Sequence, residues 1–259
     1  MDAPVGRPRS SPVTLLLLRE RLVVLAALAI IIVISGWAMI RTGDTLMMGG
    51  QGSLAYAALL FLMWWLMMMA MMLPSAAPSI LTFTAINRKL KGGGSTGEFA
   101  AGHGAVWTAF SLAAALIHLA FERFVPFTGM MAVTSRGIGA GLLMAAGAYQ
   151  LTPLKGACLR KCRTPLFFLA RNWKSGRLAA LWMGIHHGLY CLGCCWALMA
   201  VLFYGGVMEL NWIAGLALYV LAEKLLPARF PLRNLSGIIL IAWGIAVLGL
   251  AAGYRTQLK

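Results

Sequence analysis

An all-α, polytopic transmembrane bundle is the fold class this sequence predicts, and three observations carry it. Hydrophobic residues fill 61% of the 259 positions and charged residues only 11%, where a soluble domain carries about 25% charged. Apolar runs of near membrane-spanning length recur along the chain, broken by glycine, proline and charge. The 22 lysines and arginines gather in alternate gaps between those runs, as cytoplasmic loops require.

Taken in order, residues 1–21 form a basic tail with Arg7, Arg9, Arg19 and Arg21. The run 22–40 is too long for the apolar part of a cleaved signal and lacks a small-residue cleavage end, so it reads as a retained first span. Further spans fall near 54–73 (its apolar character continues toward 86), 99–121, 137–153, 178–204, 207–226 and 235–254. Gly43, Gly92-Gly93-Gly94, Pro126, Gly205-Gly206 and Pro227 punctuate them. No internal repeat is visible. Residues 22–254 therefore read as one transmembrane domain of about seven spans, followed by a short tail at 255–259.

Counting charge orients it. With the N-terminus inside, the tail, Arg88 to Lys91, Lys155 to Arg177, and Lys224 to Arg233 all lie on one side. Only Arg41, Arg123, Arg136, Arg255 and Lys259 lie on the other. That asymmetry predicts an N-in, C-out arrangement. The formal charge of +15 thus has a topological source. No compact basic patch beside stacking aromatics suggests nucleic acid, and the expected medium is the lipid bilayer.

Within the fifth span, Met183 to Met199 reads MGIHHGLYCLGCCWALM. His187, Cys191 and Cys195 follow at i+4, and Cys194 joins the same face. His186 is rotated about 100° away. An imidazole in hydrocarbon needs a partner, which marks an intramembrane histidine as functional. Gly184 and Gly188 have the spacing that brings a second helix close. The second span holds a methionine row at Met63, Met67 and Met71, with Met68 and Met72 on another. Pro74 and Pro78 predict a kink beside them. Cys158 and Cys162 form a C-x3-C pair among basic residues beyond the fourth span. On this topology much of the bilayer separates that pair from Cys191, which lies about 20 Å along its helix. Glu98, His103, His118 and Glu223 read as interfacial, with Glu223 paired to Lys224, and Gln150 as a hydrogen-bond partner of a neighbouring helix.

Thiolates and thioethers are soft donors that select Cu(I), with thiolates also suiting Zn. The candidate metal ligands are accordingly Cys191, Cys194, Cys195, His187, Met63, Met67, Met71, Cys158 and Cys162. The second and fifth spans are expected to pack together, the Met63/Met67/Met71 row facing Cys191 and Cys195. No nucleotide-binding glycine motif, G-x-S-x-G or H-E-x-x-H is present.

Three blocks, MMMAMMLPS from Met67, YQLTPLKGACLRKCR from Tyr149 and GLYCLGCCWALM from Gly188, carry a resemblance. With the continuation to Glu223-Lys224, they resemble a bacterial family of predicted metal-binding integral membrane proteins, a domain of unknown function. The resemblance covers about residues 60 to 226 and implies a metal-binding protein of the bacterial inner membrane, without naming a reaction. Three functions fit the residues. The first is handling of a soft metal, Cu(I) before Zn, with a metallochaperone or metalloenzyme assembly partner. The second is a thiol–disulfide oxidoreductase using the C-x-x-C of Cys191 and Cys194. The third is a structural subunit whose cysteines only pack.

Overall fold

The computed structural model describes residues 53–124, 131–226 and 230–257, with isolated positions between 26 and 41 and side chains to residue 250. The expected tail 1–21 and most of the first span at 22–40 lie outside the described residues. The chain forms helices α1 (Leu54–Leu90), α2 (Thr96–Glu122), α3 (Arg136–Leu151), α4 (Pro153–Arg163) and α5 (Pro165–Asn172). After these come α6 (Arg177–Ala200), the single turn α7 (Leu202–Gly205), α8 (Leu210–Leu225) and α9 (Leu232–Gln257).

Helix α1 is the centre of the bundle. Ser53 caps it by accepting from the Tyr56 amide, and Lys91 closes it in the left-handed region at φ 48°. Its methionines and leucines are buried around most of its circumference, the pattern of a helix enclosed by others. The prolines expected to kink the helix do not end it. It runs 37 residues through Pro74 and Pro78, while Thr82 Oγ1 donates to the Pro78 carbonyl at 2.6 Å. Helix α2 starts with a capping box, Ser95 and Glu98 each satisfying the other's backbone.

Helices α2 and α6 approach closely, and glycine makes it possible. A Cβ on Gly184 would stand 2.1 Å from the Phe99 carbonyl oxygen, and one on Gly102 would stand 2.1 Å from that of Leu181. The expected role of the Gly184/Gly188 pair is thus met, with α2 as the partner. Helices α3 and α9 are joined in the same way. There a Cβ on Gly147 would meet the Gly237 carbonyl at 2.7 Å.

Gly184→Ala is expected to cost about 1–3 kcal/mol, because the obstacle is backbone and cannot turn aside. Gly104, which has nothing within 4 Å, is the control. Gly104→Ala is expected to be neutral or stabilising, since alanine is the better helix former. Thermal unfolding of both variants in detergent checks the pair.

Four helices, Leu54–Leu90, Thr96–Glu122, Arg177–Gly205 and Leu232–Leu250, are long and apolar enough to cross a membrane. Their outward faces carry large exposed apolar side chains such as Leu112, Leu116, Ile238 and Leu248. The expected spans 137–153 and 207–226 appear as α3 and α8, each of 16 residues. At 1.5 Å per residue each reaches only about 24 Å.

The expected loop between Lys155 and Arg177 is mostly helix. Thr152 ends α3, accepts from the Lys155 amide and hands the chain to Pro153 at the first turn of α4. That sequence of cap and proline allows a sharp change of direction. Helix α4 then packs against α6, and α5 leads down to Trp173, which lies against Phe83 of α1 at 5.6 Å between ring centroids.

Candidate metal centre

On α6 the helical period puts Met183, His187, Cys191, Cys194 and Cys195 on the buried face. His186 is exposed and touches Trp182 instead. The separation of the two histidines by helix rotation is therefore real. All five cysteines are free thiols.

The two cysteine groups meet. Cys162 of α4 is buried beside Cys194 of α6. The expectation that much of a bilayer separates them is wrong, because α4 does not lead away from the bundle. It folds back against α6, where the Tyr149 hydroxyl also donates to the Gly193 carbonyl.

The methionine expectation needs correction too. Helices α1 and α6 have no extensive direct packing; α6 lies mainly on α2 and α4. The contact between the soft donors runs through one side chain of the other row. Met72 Sδ lies 3.9 Å from Cys195 Sγ. Met63, Met67 and Met71 are buried in the same core as the cysteines, but among the described residues the sulfur–sulfur hydrogen bond to a cysteine comes from Met72 and not from them.

Three further residues complete the cluster, and the sequence reading placed each elsewhere. His103, expected at an interface, is 1% exposed, with Nδ1 3.2 Å from His187 Nδ1 and its ring beside Cys191. Its Nε2 is buried without a well-aligned hydrogen-bond partner. Lys224 does not pair with Glu223. Its ammonium donates to Ser75 Oγ at 2.8 Å and to Cys191 Sγ at 3.0 Å. Glu223 pairs with Lys155 at 2.8 Å, both almost fully buried, and its carbonyl accepts twice from Arg163.

A lone ionised group in such a place is prohibitively costly, so charges there come in compensated sets. Two ammonium groups and one carboxylate leave one positive charge over. Cys191 is the group touching it, and its thiolate form would balance the set.

His118, also expected at an interface, is fully buried at the other end of α2. Its Nδ1 accepts from Trp64 Nε1 at 3.3 Å, and its Nε2 lies 3.6 Å from Glu122, which also accepts from the Tyr56 hydroxyl. Gln150 fulfils its expectation by donating to Tyr219 and Ser236.

The cluster is not a closed cage. Among the described residues, no three His, Cys, Asp or Glu side chains are arranged to close on a metal ion. Two thiols are turned back onto their own helix, Cys194 and Cys195 donating to the Cys191 carbonyl at 3.0 and 2.9 Å. Rotation about one side-chain bond frees either sulfur.

What the fold and site define is a helical bundle with apolar spans and a buried soft-donor cluster. A family model described as PpoB2, copper chaperone, matches residues 61–247, most of the chain and every residue of the cluster. The protein belongs to that copper-related family. No curated protein and no solved structure matches it.

Proposed function

We propose that this protein is a multi-pass protein of the bacterial inner membrane that binds Cu(I) at the α1/α2/α4/α6 cluster and passes it to a copper-dependent partner. The observation that carries the reading is the convergence of Cys162, Cys191, Cys194, Cys195, Met72 and His103 from four helices. Thiolate and thioether sulfur with imidazole is a Cu(I) donor set. The orphaned Nε2 of His103 supports it. When His103 donates through Nδ1 to His187, its buried Nε2 carries the free lone pair, and His187 holds the ring in place.

Copper held at Cys191 would take the place of the Lys224 ammonium, which would keep its bond to Ser75. Cys194 and Cys195 would supply further sulfur by turning from the Cys191 carbonyl. In a membrane, α4 with the exposed Arg160 and the half-buried Lys161 and Arg163 belongs at the water boundary, since cations are expensive in hydrocarbon. The cluster then sits just inside that boundary rather than at mid-bilayer.

The test is copper per protein, by inductively coupled plasma mass spectrometry, after growth with copper and purification in detergent. Wild type is expected to retain copper. His103→Ala is expected to lose affinity by more than the roughly 10–100-fold that loss of a supporting partner produces, whereas the exposed His186→Ala is expected to match wild type. Met72→Leu is expected to weaken binding more than Met63→Leu, Met67→Leu or Met71→Leu. Copper-free wild type would end the proposal. The oxidoreductase reading has one observation in its favour, the adjacency of Cys162 and Cys194. It requires a titratable disulfide in the purified protein, where copper binding requires free thiols.

A further inference from the structure

We propose that Cys158 is the transfer ligand of the cluster, the thiol through which copper passes between the buried donors and an anionic Cu(I)–thiolate carrier. This rests on the copper reading above and assigns the route by which that site fills. Cys162, Cys191, Cys194 and Cys195 are all buried, and only Cys158 reaches the surface.

Its sulfur is also held against the helix that carries the buried thiols. A Cβ on Gly193 would come within 2.8 Å of Cys158 Sγ, so glycine is what allows the sulfur to settle there. The next residue is Cys194, which lies near both Cys158 and Cys162. Beyond Cys194 come Cys195 and Met72. The thiols therefore form a graded path from a half-buried cysteine to fully buried ones, each step between neighbours.

The surroundings of Cys158 indicate the kind of carrier. Arg160 is exposed on the same helix, and Lys161 lies over the Tyr190 ring at 5.5 Å. These fixed cations favour an incoming complex of net negative charge. Transfer is a ligand exchange without oxidation or reduction. A copper–sulfur bond forms to Cys158 while the carrier's copper–sulfur bond breaks, and the Cys158 proton goes to the departing carrier thiolate. Repetition moves the metal inward, the Cys194 proton returning to Cys158.

The experiment mixes copper-free protein in detergent with Cu(I)–glutathione, removes the small complex at intervals and counts protein-bound copper. Cys158→Ser is expected to reach the wild-type plateau but to fill at least about tenfold more slowly, the scale on which misplaced reacting groups lose rate. Gly193→Ala keeps every thiol but displaces Cys158, and is expected to slow filling at the same plateau. Added salt is expected to slow wild type by screening the cations. Filling of both variants at the wild-type rate would overturn the proposal. A reduced plateau in Cys158→Ser would also overturn it, by making Cys158 an ordinary ligand. Wild type with no plateau at all would instead defeat the copper reading, so the two failures are distinguishable.

Discussion

Cys191→Ser is expected to remove most of the bound copper, a larger loss than any other single replacement in the cluster. Cys191 is where the donors and the buried charge meet. Its sulfur accepts from Lys224, its carbonyl holds the thiols of Cys194 and Cys195, and His103 lies beside it. Serine preserves the shape and the carbonyl but replaces a soft anionic donor with a hard neutral one, which suits Cu(I) poorly. The expected drop exceeds the roughly 10–100-fold that outer-shell changes produce. Because the carbonyl remains, Cys194 and Cys195 keep their resting contacts, but neutral serine leaves the buried Lys224 ammonium without its balancing anion, so the variant is expected to stay folded and to unfold below the wild-type temperature. Mass spectrometry for copper, with the melting temperature measured on the same sample, separates lost binding from lost structure.

Lys155→Met is expected to give the largest loss of stability. Lys155 is fully buried and its ammonium bonds Glu223, a carboxylate 1% exposed. Without it, Glu223 keeps only the Tyr219 hydroxyl on its carboxylate. Removing one partner of a buried pair costs about 3–5 kcal/mol, because the other charge is left uncompensated. The double variant Lys155→Met, Glu223→Leu removes both charges and is expected to recover much of that loss. Thermal unfolding of the two singles and the double, treated as a mutant cycle, measures the coupling. Additivity would show that the pair does not hold α4 to α8.

The parts of this fold legible in the sequence are those set by local periodicity. The i+4 row of His187, Cys191 and Cys195 needs only one helix to exist, and it does. Gly184 and Gly188 signalled a close helix contact because their spacing repeats on one face. The charged stretch after Thr152 was misread for a physical reason. Its lysines and arginines look like a solvated loop, yet Lys155 is neutralised by Glu223, 68 residues away, and Arg163 donates to the carbonyl of the same residue. Nothing local announces those partners. With α4 read as loop, Cys162 could not be brought to Cys194.

His103 was missed for a related reason. A single histidine near a helix start looks interfacial, and its partner His187 lies 84 residues on. One signal was available: Gly102, next to it, mirrors the small residues of α6 and marks the face of α2 that packs there. The methionine row was misassigned because α1 is buried on nearly every side. When all faces are enclosed, hydrophobicity does not tell which one meets the cysteines. Only the Met72–Cys195 contact does so.

X-ray absorption at the copper edge, on protein loaded with Cu(I) and purified in detergent, tests the central claim most directly. The expected spectrum is that of Cu(I) with a first shell dominated by sulfur and one imidazole nitrogen, and the sulfur contribution falls in Cys191→Ser. A shell of nitrogen and oxygen alone, or a sulfur shell unchanged in Cys191→Ser, would contradict it.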